Sequence, residues 1–544
     1  MSYYLFQKKK KKHIYWYLGK SERGQKGVRR VWQEYLGTAE KIKQVFDKNT
    51  NPTITSKAFG SVACMLSVAK ELRLAEIIRK IVPDNNYKLS IYQHIVMQSI
   101  ARFNSPISKA GSVDWFNESI LPMIWKNDFS SPQTVFNQFD KLVKGTTNKI
   151  PLIEEELCKS LLNNGIKPST LIWDPTNFFT YIEEGEELPR KGASKEKRYD
   201  KNIVNLGMVV SDENIPLFHT TYEGNKRESE VMNEVVDTIH ARLTKLKAET
   251  KEIVFVFDRG NNSKDNIKNF KEKLHFIGAL KKNQLPHLFD IDLAKFETLY
   301  ESKNKNIMKG FLTNETVYGE ERRIVVAYSE ATAKKQKEKT EEAVRKIKEK
   351  FQELEQNMKS PTKKKKTQTQ GLSKKINDFF HKQYSSLFSW RFNEEKQEFS
   401  WNFKEEIFKA REKTYGKTIL FTDLKYWTAE KIAKTYNSKT IIEDDFKTLK
   451  NKLLIPIKPF YSRLDNRLKA HIFVCVLSLI LYRYMIRKLK NLQLSEPKIV
   501  EEIRNMRIAF IKQENSNSVK KVLETMTSEQ IQIYNALKLE RFLP

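Results

Sequence analysis

Three acidic residues and two basic-aromatic neighbourhoods carry the chemistry that this chain could do. Tyr436, Lys439, Glu443 and Lys450 stand at offsets of three, seven and fourteen along one charged segment. At 100° per residue those offsets fall within roughly 60° of arc, so a helix would present all four on one face. That face holds a phenol, a cation, a carboxylate and a second cation. Phosphodiester chemistry at a divalent metal needs this combination, a hard oxygen ligand flanked by phosphate-binding charges. Read alone, the same face serves equally well as a solvated surface with intrahelical ion pairs. Asp174 and Asp258 each follow an apolar run, 170–173 (TLIW) and 253–257 (IVFVF). Both are expected at the C-terminal ends of strands, where open α/β sheets bind their ligands. Singly, each is as well explained as a turn former or helix cap.

The elements that must position these residues can be read from periodicity. The continuous apolar run before Asp258 suits a central strand covered on both faces. Residues 205–210 and 215–220 read as a hairpin around 211–214. A helix follows from 229 to about 246, with Val231, Val235, Ile239 and Leu243 on one face. A further helix and a strand at 276–280 complete the order strand, strand, strand, helix, strand, helix, strand. One helix is expected from about 428 to 452, carrying Glu443, and an apolar helix ending near Ile486 follows it.

Before this region, 55–165 reads as a small helical bundle. Val62, Met65, Leu66, Ala69 and Leu72, then Leu74, Ile77, Ile78 and Ile81, recur at helical spacing. Pro83, Pro106 and Pro132 punctuate it. Residues 1–50 are basic and aromatic, with five consecutive lysines from Lys8 to Lys12. They read as a strand-rich module that either solubilises the chain or contacts DNA phosphates and bases. Strand-like pieces such as 323–328 sit inside 285–425 together with a charged helical segment from about 332 to 358. The lysines from Lys363 to Lys366 lie in a Thr/Gln-rich tract that is usually just solvated.

Bulk composition narrows the class. At 544 residues, two to four domains are expected. Apolar residues at 39% and aromatics at 11% are enough for true cores and exclude a disordered polymer. Lys and Arg number 98 against 67 Asp and Glu, a formal charge of +31. Such a surplus points first to nucleic acid and second to an anionic membrane surface. Cys64, Cys158 and Cys475 lie far apart, which excludes a disulfide framework and a zinc cluster and suits a reducing compartment. No secretory signal is visible, and the apolar stretch 472–481 is too short to span a bilayer. A soluble, intracellular protein is expected.

The three carboxylates together give a more specific resemblance. The chain resembles the DDE transposases of bacterial and archaeal insertion sequences, in the insertion-sequence-four superfamily with the YREK signature. Tyr436, Glu443 and Lys450 match that signature in type and spacing, and Lys439 stands where the family has arginine. The segment Trp173-Asp174-Pro175-Thr176 is similar to the family's first-aspartate region, and Phe257-Asp258-Arg259-Gly260 to its second; Gly224-Asn225 is also family-like. The resemblance implies an α/β, RNase H-like core interrupted by a mostly β insertion and preceded by an α-helical domain. It implies metal ligation by Asp174, Asp258 and Glu443, and phosphate binding by Tyr436, Lys439 and Lys450. Two Mg²⁺ ions are the expected cofactor, with Mn²⁺ as a substitute. The expected partner is double-stranded DNA, both transposon ends and target, bound by a homodimer, in a prokaryotic cytoplasm at the nucleoid. Lysine at 439 loses the bidentate fork of arginine, which lowers the expected activity. Trp390 and Trp401 could stack on a flipped base, but core packing is the stronger expectation.

The expected organisation is a basic module (1–50), a helical DNA-binding or dimerisation domain (51–165), two core halves (166–284 and 426–490), an insertion (285–425) and a charged tail (491–544). Three other readings stay open: an RNase H-like nuclease or resolvase without strand transfer, a non-catalytic DNA-binding descendant, and, from charge alone, a membrane-surface protein.

Overall fold

The computed structural model describes residues 2–544 apart from 12, 25–26, 49–52, 85–87, 105, 130, 246–251, 271–272, 303–304, 360–368, 380–381, 461 and 513–517. The lysines at 363–366 therefore lie outside the described residues. Two units emerge, Met1–Gln138 with Leu481–Pro544, and Phe139–Ile480.

In the first unit, Ser2–Lys10, His13–Gly24 and Gly27–Gly37 form an antiparallel sheet, followed by a helix at Ala39–Lys48. Helices Gly60–Glu71 and Leu74–Ile81 take the two predicted apolar series, and Val62, Met65, Leu66, Ala69, Leu74, Ile77 and Ile78 are buried. The charged C-terminal stretch, expected to be helical, holds helices at Glu496–Asn505 and Ser528–Ala536 and also two strands. Strand Arg507–Lys512 pairs with Thr53–Ala58 on one side and Val519–Leu523 on the other. Its alternating Ile508 and Phe510 are buried, a period-two signal masked by the surrounding charge. The stretch 51–165 likewise departs from an all-helical domain, since it contributes that strand at Thr53–Ala58.

The second unit is built on a nine-stranded mixed sheet. Helix α1 (Ile150–Asn163) leads into β1 (Thr170–Thr180), β2 (Asn202–Ser211) and β3 (Pro216–Glu223), an antiparallel series. Then come α2 (Glu228–Lys245), β4 (Val254–Phe257), α3 (Lys264–Asn269) and β5 (His275–Ala279). This is the order expected from the sequence. Strand β4 lies between β1 and β5 and runs parallel to both, with all four residues buried. Val231, Val235, Ile239 and Leu243 of α2 are buried as their spacing predicts.

The stretch 285–425 adds β6 (Glu297–Glu301), β7 (Ile307–Val317), β8 (Glu320–Ser329), α4 (Glu330–Lys359), α5 (Thr369–Phe379), the hairpin β9 (Phe388–Asn393) and β10 (Glu398–Phe403), α6 (Glu405–Glu412) and β11 (Lys417–Thr422). Strands β6, β7, β8 and β11 extend the main sheet in the order β6-β7-β8-β11-β5-β4-β1-β2-β3. Helices α4 and α5 and the hairpin enclose a separate apolar cluster around Phe351, Leu372, Leu387 and Phe388. Trp401 stacks on Phe351 at 5.4 Å and donates to Glu355, and Trp390 faces it across the hairpin. Trp401 is therefore spent on packing.

The helix expected from 428 to 452 is two helices, α7 (Ala429–Asn437) and α8 (Thr440–Lys450). At the break, the Ser438 hydroxyl donates to the Thr435 carbonyl and the Thr440 hydroxyl to that of Asn437, competing with the backbone ladder. Helix α9 (Asp465–Leu489) buries 472–481. Among the described residues no helix is long and apolar enough to cross a membrane.

Candidate active site

Strand register brings the two aspartates together. Trp173 of β1 pairs with Phe257 of β4 in parallel, so the next residues, Asp174 and Asp258, follow at adjacent strand positions. Here β4 ends, but β1 continues. Asp174 is mid-strand, not at the strand end expected from the sequence, because β1 runs on to Thr180 paired, among the described residues, with β2 alone. Pro175 is tolerated there since an edge has no second ladder to break. Gly207 of β2, opposite Pro175, makes room for the Trp173 ring: a Cβ at 207 would stand 2.0 Å from the indole. The Trp173 indole N–H donates to Asn261 at 3.3 Å, bracing β1 against the turn after β4.

Asp258 is heavily engaged. It accepts from the Arg259 amide at 2.9 Å and from the Tyr436 hydroxyl at 3.0 Å, and the Lys439 ammonium lies 3.6 Å away. Burial pushes this carboxyl up, but Lys439, the Arg259 amide and Tyr436 outweigh it and hold the group below its usual range. Tyr436, at the end of α7, is itself pushed up by burial and by Asp258, so it stays protonated and donates. Lys439 stands just before the first residue of α8 and its ammonium reaches the Tyr436 hydroxyl at 3.1 Å. Asp174 is in the opposite condition. Burial, together with the nearby Glu228 and Asp258, pushes its carboxyl from the ordinary 3.8 to about 7 against the pull of Lys195 and Lys439.

Glu443 lies exposed in the first turn of α8. It joins Asp174, Asp258 and Lys439 in lining one cleft of about 30 Å³, walled by Trp173, Phe257 and Ile442. A space of that size takes on the order of two water-sized occupants. Lys450, at the far end of α8, donates to the Thr176 hydroxyl at 2.9 Å, two residues along β1 from Asp174. Burial lowers its ammonium. Asp174, Asp258, Lys439 and Glu443 thus line one cleft, Tyr436 joins it through Asp258 and Lys450 contacts β1 two residues beyond Asp174, although the helix face that predicted four of them is broken at Ser438–Lys439.

The site has an oxygen-only donor set, which suits a hard divalent cation. Among the described residues no three His, Cys, Asp or Glu side chains stand close enough to hold one ion as they are. Asp258 turns Oδ1 to Tyr436, Lys439 and the Arg259 amide. Two residues at the site were not visible in the sequence. Lys195, from the loop after β1, and Glu228, which opens α2, form an ion pair at 3.1 Å beside Asp174. Neither spacing nor periodicity marks them; Glu228 reads as an ordinary acid in a helix's first turn.

Comparison with known proteins follows the same region. A family model described as "Transposase DDE domain" matches residues 167–481. Among solved structures, the chain is matched to one described as "Mos1 transposase paired-end complex with left transposon end", at 9% identity and a TM-score of 0.15. That match covers 35% of this chain and 58% of the other. No curated protein matches. With more than half of its length matched, spanning both aspartates and the glutamate, the chain belongs to the family of transposase DDE domains.

Proposed function

We propose that this chain is a DNA transposase of an insertion sequence, which binds the terminal inverted repeats of its element, cleaves there and joins the 3′ ends to target DNA. The observation that carries this reading is the meeting of Asp174, Asp258 and Glu443 at one cleft, with Tyr436 and Lys439 on Asp258. The β3-β2-β1-β4-β5 order within the sheet supports an RNase H-like core, 166–284 and 426–490, with 285–425 inserted. Mg²⁺, as two ions and replaceable by Mn²⁺, would be held by the three carboxylates and would polarise the phosphate and acidify a bound water.

This chain's own groups have separable tasks. Tyr436 donates to Asp258 and so keeps that carboxylate ionised and oriented. Lys439 and Lys450, on either end of α8, offer positive charge to the phosphates flanking the cut. Trp173, Phe257 and Ile442 wall the cleft with apolar surface. A homodimer would bring two ends together, in a prokaryotic cytoplasm at the nucleoid.

The test uses Glu443→Gln. Duplexes carrying the inverted repeats that bracket the gene are incubated with Mg²⁺, and pre-cut ends are incubated with plasmid target. Wild type should cut and join, while the variant should bind the ends without cutting. Full cutting by the variant removes Glu443 from the site. Cutting by wild type without joined products favours a nuclease or resolvase.

A further inference from the structure

We propose that Lys195, aimed by Glu228, is a further phosphate-binding residue of this cleft, contacting the strand being cut on the Asp174 side. The inference rests on the transposase reading above, and it begins from how firmly Lys195 is placed. Its backbone amide donates to the Asn177 side chain at 2.8 Å, and Asn177 donates in turn to the Ala193 carbonyl at 3.0 Å. The loop is thereby pinned to β1 three residues past Asp174. The ammonium then donates to the Pro175 carbonyl at 2.5 Å and pairs with Glu228 at 3.1 Å. An ammonium has three hydrogens, and these two partners take two of them.

Glu228 approaches from the other side. Its Oε2 lies 2.8 Å from where a Cβ on Gly260 would stand, so the carboxylate lies against the turn that follows Asp258. The pair therefore sits between the strand bearing Asp174 and the turn after Asp258. Side-chain exposures of 40% and 35% leave both groups open to solvent and to a ligand. An ion pair this exposed contributes little to folding, so stability does not account for the placement.

Charge supplies the reason. Three carboxylates in one cleft repel the phosphate they are meant to process. Lys439 offsets this beside Asp258. Lys195 stands on the Asp174 side, its ammonium on the carbonyl of the next residue, Pro175. A phosphate reaching the carboxylates would thus meet an ammonium on each side, the second presented by a loop that no motif marks.

The experiment uses the full chain and a 40-base-pair random duplex in EDTA, with binding followed by anisotropy against salt concentration, and nicking of supercoiled plasmid in Mg²⁺. Lys195→Gln should lower the slope of log K against log salt by about one and nicking by about tenfold, with Lys195→Arg restoring the slope. Glu228→Gln should leave the slope unchanged and slow nicking, because the charge stays but its aim is lost. An unchanged slope and rate in Lys195→Gln overturns the proposal. So does a loss of nicking with the slope intact, which would make the residue structural. Wild-type protein that binds but never nicks sinks the transposase reading and leaves the slope to judge Lys195; absence of binding sinks both.

Discussion

The Tyr436 hydroxyl donates to the Asp258 carboxylate at 3.0 Å while the Lys439 ammonium stands 3.1 Å from that same hydroxyl. A phenol, an ammonium and a carboxylate from two helices and one strand end thus form a single hydrogen-bonded group. Removing the phenol oxygen alone should expose its contribution. Tyr436→Phe keeps the ring and is expected to reduce Mg²⁺-dependent cleavage by roughly ten- to a hundredfold, as supporting groups around metal ligands typically do. A Mg²⁺ titration of the cleavage rate checks this; a wild-type curve would show that the hydroxyl does not orient Asp258.

Lys439 offers a point charge where a guanidinium would offer a planar fork. Its ammonium already spans Asp258 and Tyr436. Lys439→Arg is therefore expected to raise plasmid nicking a few-fold, and Lys439→Met to lower it by about tenfold or more. Should arginine lower the rate as much as methionine does, the cleft has been shaped around lysine.

Asp174 links activity to stability. Its carboxyl stands at about 7 in the folded chain and at the ordinary 3.8 when free. The folded state therefore holds the proton more tightly, and its stability falls as pH rises from about 4 to 7. Asp174→Asn does not titrate. Without metal, its melting temperature should exceed that of wild type by a few degrees at pH 8, and the two should coincide near pH 4. A variant less stable than wild type at pH 8 would mean that the ionised carboxylate is well partnered. The same variant should not cleave DNA.

Gly207 is a packing requirement that can be tested without DNA. A side chain there meets the Trp173 ring within 2.0–2.8 Å and must displace it. Gly207→Val should cost about 1–3 kcal/mol in denaturant unfolding and lower cleavage as well, because Trp173 adjoins Asp174. Unchanged stability would show that the ring moves without cost.

Much of this arrangement was legible in the chain itself. Helical and strand periodicities are local, so Val231 to Leu243 and the apolar run before Asp258 announce their elements without reference to the rest of the fold. The spacing of Tyr436, Glu443 and Lys450 works in the same way, since a helix fixes which residues share a face. Where local signals competed, the reading failed. Asp174 was expected at the end of a strand, yet β1 continues past it, paired with β2. The hydroxyls of Ser438 and Thr440 broke a helix that periodicity ran straight through.

What only the tertiary structure decided is which distant segments meet. Nothing local pairs Arg507–Lys512 with Thr53–Ala58, or sets Trp173 against Phe257 so that Asp174 and Asp258 become neighbours. Lys195 is the sharpest case, because its place follows from side-chain and carbonyl contacts to β1 and α2 that leave no periodic trace in the sequence. Residue types and spacing determine elements and candidate chemistry. Register and loop anchoring depend on contacts between residues far apart in the chain, and these determine whether the chemistry is assembled.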